Sequence, residues 1–234
     1  MDPATLGALR TLVVDCRKCP RLVGYRERVA VEKKKAHRAE TYWGRPVPGF
    51  GDPMARLVVV GLAPAAHGAN RTGRLFTGDR SASFLVEALF TAGYASQPTS
   101  VGRGDGLRYR DLYLSAAVRC VPPDNRPTPA EEAACRPYLA AEMRLLERAR
   151  AYLALGGFAW EATLRAAADR YGIPPIRVPF AHGACAVLGP GRPLLWASYH
   201  PSPQNTQTGK FTRAMLLDLL ARVRAGYEGP GETR

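Results

Sequence analysis

Residues 57–61, Leu-Val-Val-Val-Gly, constrain the fold more than any other stretch of this 234-residue chain. Four aliphatic residues, three of them β-branched, closed by a glycine read as a short strand buried on both faces, the pattern of a parallel sheet. Parallel strands need crossover helices, so helices and strands should alternate along the chain. Ser81 to Ala92 is the first such helix, with Phe84, Leu85, Leu89 and Phe90 on one stripe and Gly93 at its end. Leu112 to Val118 is the second strand, and Thr128-Pro129 opens the next helix with Thr as cap and Pro in first position. Ala151 to Leu155 and Pro193 to Tyr199 are further core strands, separated by a helix from Phe158 to Tyr171. Pro174 to Val178 suits an edge strand because of its prolines, and Phe211 to Val223 closes the fold as a helix. Ahead of all this, Pro3 to Cys19 has Leu6, Leu9, Val13 and Cys16 on one helical face, and Gly44 to Pro53 is an extended lead-in rich in turn formers. The expected fold is a three-layer α/β/α sandwich around a mostly parallel sheet of about four strands with right-handed crossovers. It forms a single domain: an N-terminal extension and lead-in over 1–53, a core over 54–225 and a tail over 226–234.

The net charge is +13 and the pI about 10.0, which points to a polyanionic partner, nucleic acid above all. Of the 33 basic residues only five are Lys; Arg suits phosphate forks, and is also enriched by codon bias or a heat-adapted source. The run Val29 to Trp43 carries Lys33, Lys34, Lys35, His37 and Arg38, which fits a solvated face as well as direct phosphate contact. No apolar run approaches the length of a membrane span, and Met1-Asp2-Pro3 does not begin a secretory signal, so a cytoplasmic, membrane-free monomer is expected.

In open α/β sheets ligands bind beyond the carboxyl ends of the strands. Two long connections leave such ends: Gly61 to Asp79, with three further glycines, His67, Asn70, Arg71 and Arg74, and His200-Pro-Ser-Pro-Gln-Asn205. A His held between Pro201 and Pro203 can donate a proton or hydrogen bond to a developing anion. Gly102-Arg-Gly104-Asp-Gly106 matches no nucleotide-binding fingerprint and is a plain connection. Four of the five cysteines, Cys16, Cys19, Cys120 and Cys135, flank the sheet region, and a reducing compartment leaves three readings: a zinc site, an iron–sulfur cluster or buried small residues. A metal held there would tie the N-terminal extension to the core. Cys185 is simplest as a core thiol.

The run Gly61-Leu-Ala-Pro-Ala-Ala-His-Gly-Ala-Asn-Arg-Thr-Gly73 with Leu75-Phe-Thr-Gly-Asp79, the Cys16, Cys19, Cys120, Cys135 arrangement and His200-Pro-Ser-Pro-Gln-Asn205 together resemble the type-b (family 5) uracil-DNA glycosylases. That resemblance covers about Cys16 to Arg224 and implies a four-stranded parallel sheet between helices, a structural 4Fe–4S cluster on the four cysteines and excision of uracil from DNA. Base chemistry in DNA requires eversion of the nucleotide, stacking on a ring and hydrogen bonds to its edge. Phe76 is the expected ring, with Gly61, Leu62 and Ala63 lining the base, and His200 the expected donor to the leaving oxygen. Related branches place a polar residue in the Gly-x-x-Pro turn to hold the hydrolytic water; here Leu62 and Ala63 stand there. Asn70, then Asn205, are the expected water holders, with Asp79 assisting electrostatically. Ser115-Ala116-Ala117 replaces the Asn that reads pyrimidine edges in some branches, so a roomier pocket accepting hypoxanthine is expected. Arg71, Arg74, Ser202, Gln204 and Lys210 should face DNA, with Lys210 opening the final helix and Gln204 filling the vacated stack. The rival readings are a non-catalytic zinc-containing nucleic-acid-binding module and a nucleoside hydrolase.

Overall fold

In the computed structural model, which describes residues 3–228, Leu57–Gly61 is a strand buried at every position. In chain order the strands are β1 (Phe50–Gly51), β2 (Leu57–Gly61), β3 (Leu112–Ala116), β4 (Ala151–Leu155), β5 (Cys185–Val187) and β6 (Leu194–Ser198). The helices are α1 (Leu6–Val14), α2 (Pro20–Glu32), α3 (Ala69–Thr72), α4 (Arg80–Thr91), α5 (Pro129–Leu145), α6 (Gly157–Tyr171), α7 (Pro203–Gln207) and α8 (Arg213–Ala225). One six-stranded sheet runs in the order β1-β3-β2-β4-β6-β5, its four central strands parallel and both edges antiparallel.

Alternate residues of β2 feed opposite faces, as the pleat demands. Leu57 and Val59 pack with Leu85 and Leu89 of α4 and Leu216 and Leu220 of α8; Val58 and Val60 pack with Leu139 and Met143 of α5 and Trp160 and Leu164 of α6. A third cluster gathers Leu9 and Val13 of α1, Leu22 of α2 and Tyr138 of α5 around Cys120 and Cys135.

The sheet has two more strands than the sequence suggests, and both lie where a short edge carries little signal. Phe50–Gly51 pairs with Leu114 and Tyr113 inside the lead-in, so residues before 54 complete the core sheet. Pro174 to Val178 is not a strand; its carbonyl at Val178 is taken by the Trp160 indole N–H at 2.8 Å, and the edge position is filled by β5. Cys185 is therefore an exposed edge residue rather than a core thiol. The first helix stops at Val14 and a second begins at Pro20, leaving Cys16 to Cys19 outside regular structure between them. The proposed tail begins inside the described residues only as far as Glu228; residues 229–234 lie outside them. Among the described residues no helix is long and apolar enough to cross a membrane.

Two ion pairs sit inside this frame. Arg119 and Glu142, each no more than 2% exposed at the side chain, meet at 2.6 Å, with Ser115 Oγ donating to the same carboxylate at 2.5 Å. Arg74 and Asp105 meet at 2.6 Å with side chains 3% and 8% exposed.

Candidate active site

β2 and β6 both pair with β4, so the backbone beyond Gly61 and beyond Ser198 emerges on either side of the β4 end. Two strand spacings put these exits about 10 Å apart. The His200 turn folds back over the middle strand: Gly156 N donates to Ser198 O at 2.8 Å, and a Cβ on Gly156 would touch the His200 Cβ at 3.3 Å. On the other side Phe76 lies over Gly61, where a Cβ would stand 2.7 Å from its Cζ. Only glycine lets the ring rest on the strand end. Phe76 itself has φ 48, a left-handed backbone that costs a non-glycine residue about 1–3 kcal/mol and is maintained by its surroundings. The β3 end closes the wall, with Ala117 N donating to Gly61 O at 2.9 Å and Val118 N to Leu62 O at 3.0 Å. Ser115 is turned away into the Glu142 pair, and Ala116 and Ala117 are buried.

His200 makes no ring hydrogen bond among the described residues, and burial holds its imidazole below the ordinary value. It is therefore neutral near pH 7 and has an N–H to offer. Asn205 Nδ2 donates to His200 O at 2.9 Å, tying the turn from below. Its Nδ2 is thus committed to the backbone, where it positions the turn. Asn70 is fully buried; its Nδ2 donates to Arg26 O at 3.2 Å, and its Oδ1 is a buried acceptor with no protein partner. Asp79 is better placed: Oδ1 caps α4 by accepting from Ala82 N at 2.9 Å, while Oδ2 lies against Gly68, whose missing side chain leaves it room. Burial raises the Asp79 carboxyl above its ordinary value, against the opposing Ala82 and Ser81 N–H groups and the Arg71 charge. A half-buried carboxylate of raised basicity can take a proton from water.

Ala63 is half-buried and packs on the cysteine cluster, and Leu62 is half-buried beside it. The expected DNA contacts divide. Arg71 donates to His67 O at 2.7 Å and Gly78 O at 3.2 Å and pairs with Glu40; Arg74 is held by Asp105, Thr77 and Ser100. Both guanidinium groups brace the loop internally and are not presented to a partner. Ser202 is half-buried as N-cap of α7, Gln204 is exposed, and Lys210 is exposed with its ammonium over the Tyr199 ring at 5.3 Å. Lys210 precedes the final helix, which Thr212 caps.

Phe180 and His182 were not legible as site neighbours. His182 stacks on Tyr199 (centroids 5.0 Å apart, planes at 25°), accepts from Tyr199 N at 3.2 Å and stands edge-on to Phe211, bracing the residue before His200. Only the prolines around 174–179 mark this loop, and they carry no hint of its destination.

Cys16, Cys19, Cys120 and Cys135 line one pocket with Arg26, Val118 and Tyr138. Arg26 Nη1 donates to Cys120 Sγ at 3.0 Å and Arg119 N to Cys135 Sγ at 3.2 Å. Burial pushes the Cys120 thiol up to about 11 and Cys135 to about 12.

Residues 48–224 match the family model described as the Uracil DNA glycosylase superfamily. The chain is 54% identical over 209 residues to a Type-5 uracil-DNA glycosylase of Thermus thermophilus, covering 89% of this chain and 92% of that one. It is 52% identical over 223 residues to the Mycobacterium tuberculosis protein of the same name, covering 94% and 82%. A Pyrobaculum aerophilum Type-5 uracil-DNA glycosylase is 46% identical over 213 residues, covering 91% and 89%.

Proposed function

Because the chain belongs to the uracil-DNA glycosylase superfamily, we propose that it is a DNA-repair hydrolase that everts uracil from DNA and cleaves the N-glycosidic bond, leaving an abasic site. The observation that carries this reading is the pairing of β2 and β6 on either side of β4, which sets the Gly61–Phe76 slot and the His200 turn at one sheet edge. The base stacks on Phe76 above the Gly61 backbone. As the glycosidic bond breaks, its electron pair passes to the base, and the neutral His200 ring donates a hydrogen bond to the oxygen where that charge collects. Water attacks the oxocarbenium-like sugar carbon, and Asp79 receives the proton that the water releases. Asn205 and His182 hold the His200 turn and touch no reacting atom.

Incubation with a uracil-containing oligonucleotide should yield alkali-labile abasic strands, while free deoxyuridine stays intact. Cleavage of deoxyuridine alone would favour a nucleoside hydrolase instead. The same assay on hypoxanthine-containing duplexes tests whether Ser115-Ala116-Ala117, standing in place of an edge-reading Asn, widens the range of bases: slower but measurable excision is expected, and silence on hypoxanthine would refute that reading.

The four cysteines fit a 4Fe–4S cluster in donor chemistry, since two buried N–H groups already point at their sulfurs, a common second-sphere contact of ligating thiolates. Cys16, Cys19, Cys120 and Cys135 would hold it, and bound there it supplies a structural cross-link between the start of α2, the chain after β3 and α5. Zinc is the alternative, since the same four thiolates suit it equally in donor chemistry. Anaerobically purified protein should be brown; a colourless protein carrying stoichiometric zinc would decide for the alternative.

A further inference from the structure

A DNA-binding surface must come from somewhere other than the loop after Gly61, because Arg71 and Arg74 spend their charge inside the fold. A group of unspent positive charges tied to that loop lies in the chain just after α2. Helix α2 ends where Lys33 adopts φ 52, and a single 3-10 turn, Lys35–His37, follows. The Lys33 Nζ donates to Arg38 O at 3.3 Å, closing this turn on itself. Lys34, Lys35 and Arg38 are exposed and form no ion pair among the described residues. Of the two carboxylates beside them in the chain, Glu32 pairs with Arg28 at 3.8 Å, and Glu40 is taken by Arg71 and by His37 Nδ1 at 2.6 Å. In a 3-10 turn residues three apart eclipse, so Lys35 and Arg38 share a side.

What distinguishes this basic turn from an ordinary solvated one is how it is fastened. Tyr42 Oη meets His67 Nδ1 at 3.0 Å and accepts from Lys34 N at 3.3 Å. Trp43 N donates to Arg71 O at 2.8 Å and Gly44 N to Asn70 O at 3.1 Å. The segment from Lys34 to Gly44 is therefore laced along the base-flipping loop itself. Burial first, and then the Lys34 charge, hold the His67 imidazole below its ordinary value, which places that ammonium close to the loop.

We propose that Lys34, Lys35 and Arg38 form a phosphate clamp that grips the DNA backbone beside the everted nucleotide, and that the Tyr42–His67 and Glu40–Arg71 contacts fix its register against the base slot. The clamp rests on the glycosylase reading for its partner. It contributes affinity and positioning without reading sequence. Each neutralised phosphate releases counterions, so the clamp has a thermodynamic signature that a structural role lacks.

The test compares the full-length protein with a Lys34→Ala/Lys35→Ala/Arg38→Ala variant, using an undamaged duplex and one carrying a tetrahydrofuran abasic analogue. Binding is measured between about 50 and 200 mM salt; the slope of log K against log salt should flatten by about 2 to 3 for both duplexes, with affinity at least roughly tenfold weaker. A Lys34→Arg/Lys35→Arg variant should restore the wild-type slope. An unchanged slope in the alanine variant, with the far-ultraviolet spectrum and melting curve of the wild type, overturns the clamp. Wild-type protein that binds both duplexes yet excises no uracil overturns the proposed function and leaves the clamp standing.

Discussion

Replacing His200 by Ala should slow single-turnover excision of uracil by roughly 100-fold or more, the scale seen when one preorganised donor to a developing anion is removed. The argument rests on availability. Among the described residues the ring has no partner, the turn that carries it is tied by Asn205 at 2.9 Å, and burial keeps the imidazole neutral, so its N–H faces the substrate without competition. An unchanged chemical rate in the variant would remove His200 from the mechanism. Asn205→Ala should do less, since it loosens the turn and leaves the donor in place. The same burial sets a pH dependence of stability. Because the folded pKa lies below the ordinary 6.5, the unfolded chain binds this proton more readily than the native one. The His200 contribution is therefore complete above about pH 6.5 and is lost as pH falls towards the folded value, so urea midpoints should decline on that acid side more in wild type than in His200→Ala.

Glu142→Ala should cost about 3–5 kcal/mol, because it leaves the Arg119 guanidinium buried with no opposing charge. Arg119 is 1% exposed and its Nε and Nη1 already lack partners, so no second acceptor waits to replace the carboxylate. For a chain of this length the melting temperature should fall by roughly 10 °C. Removing both charges, as Arg119→Met with Glu142→Leu, should recover much of the loss, since the penalty lies in the orphaned ion. A single variant melting within a degree of wild type would show that Arg119 finds water or another acceptor.

The central strands were legible because burial on both faces leaves a sequence mark: Leu57–Gly61 and Ala151–Leu155 have the bounds that their apolar runs imply. Thr128-Pro129 likewise announces its helix, and Thr128 with Glu131 forms a reciprocal cap. Edges were not legible. A two-residue strand such as Phe50–Gly51 has no periodicity, and the prolines of 174–179 disguised an irregular loop as an edge. At the site, residue type revealed which loops matter but not which way their side chains turn. Arg71 and Arg74 in a glycine-rich loop have the composition of phosphate forks; their true partners, Glu40 and Asp105, lie about thirty positions away in opposite directions, beyond any local pattern. The one side-chain partner of Asn70 is equally remote, since the carbonyl that its Nδ2 serves belongs to Arg26 in another helix.

The contact between Phe76 and Gly61 bears on how such a pocket can change its preferences. Its floor is main chain, so no rotamer at position 61 can deepen or narrow it; the only adjustable part is the ring, and its strained backbone at φ 48 leaves few alternative seats. Evolution toward bulkier lesions would therefore work on the facing turn around His200, leaving the platform undisturbed.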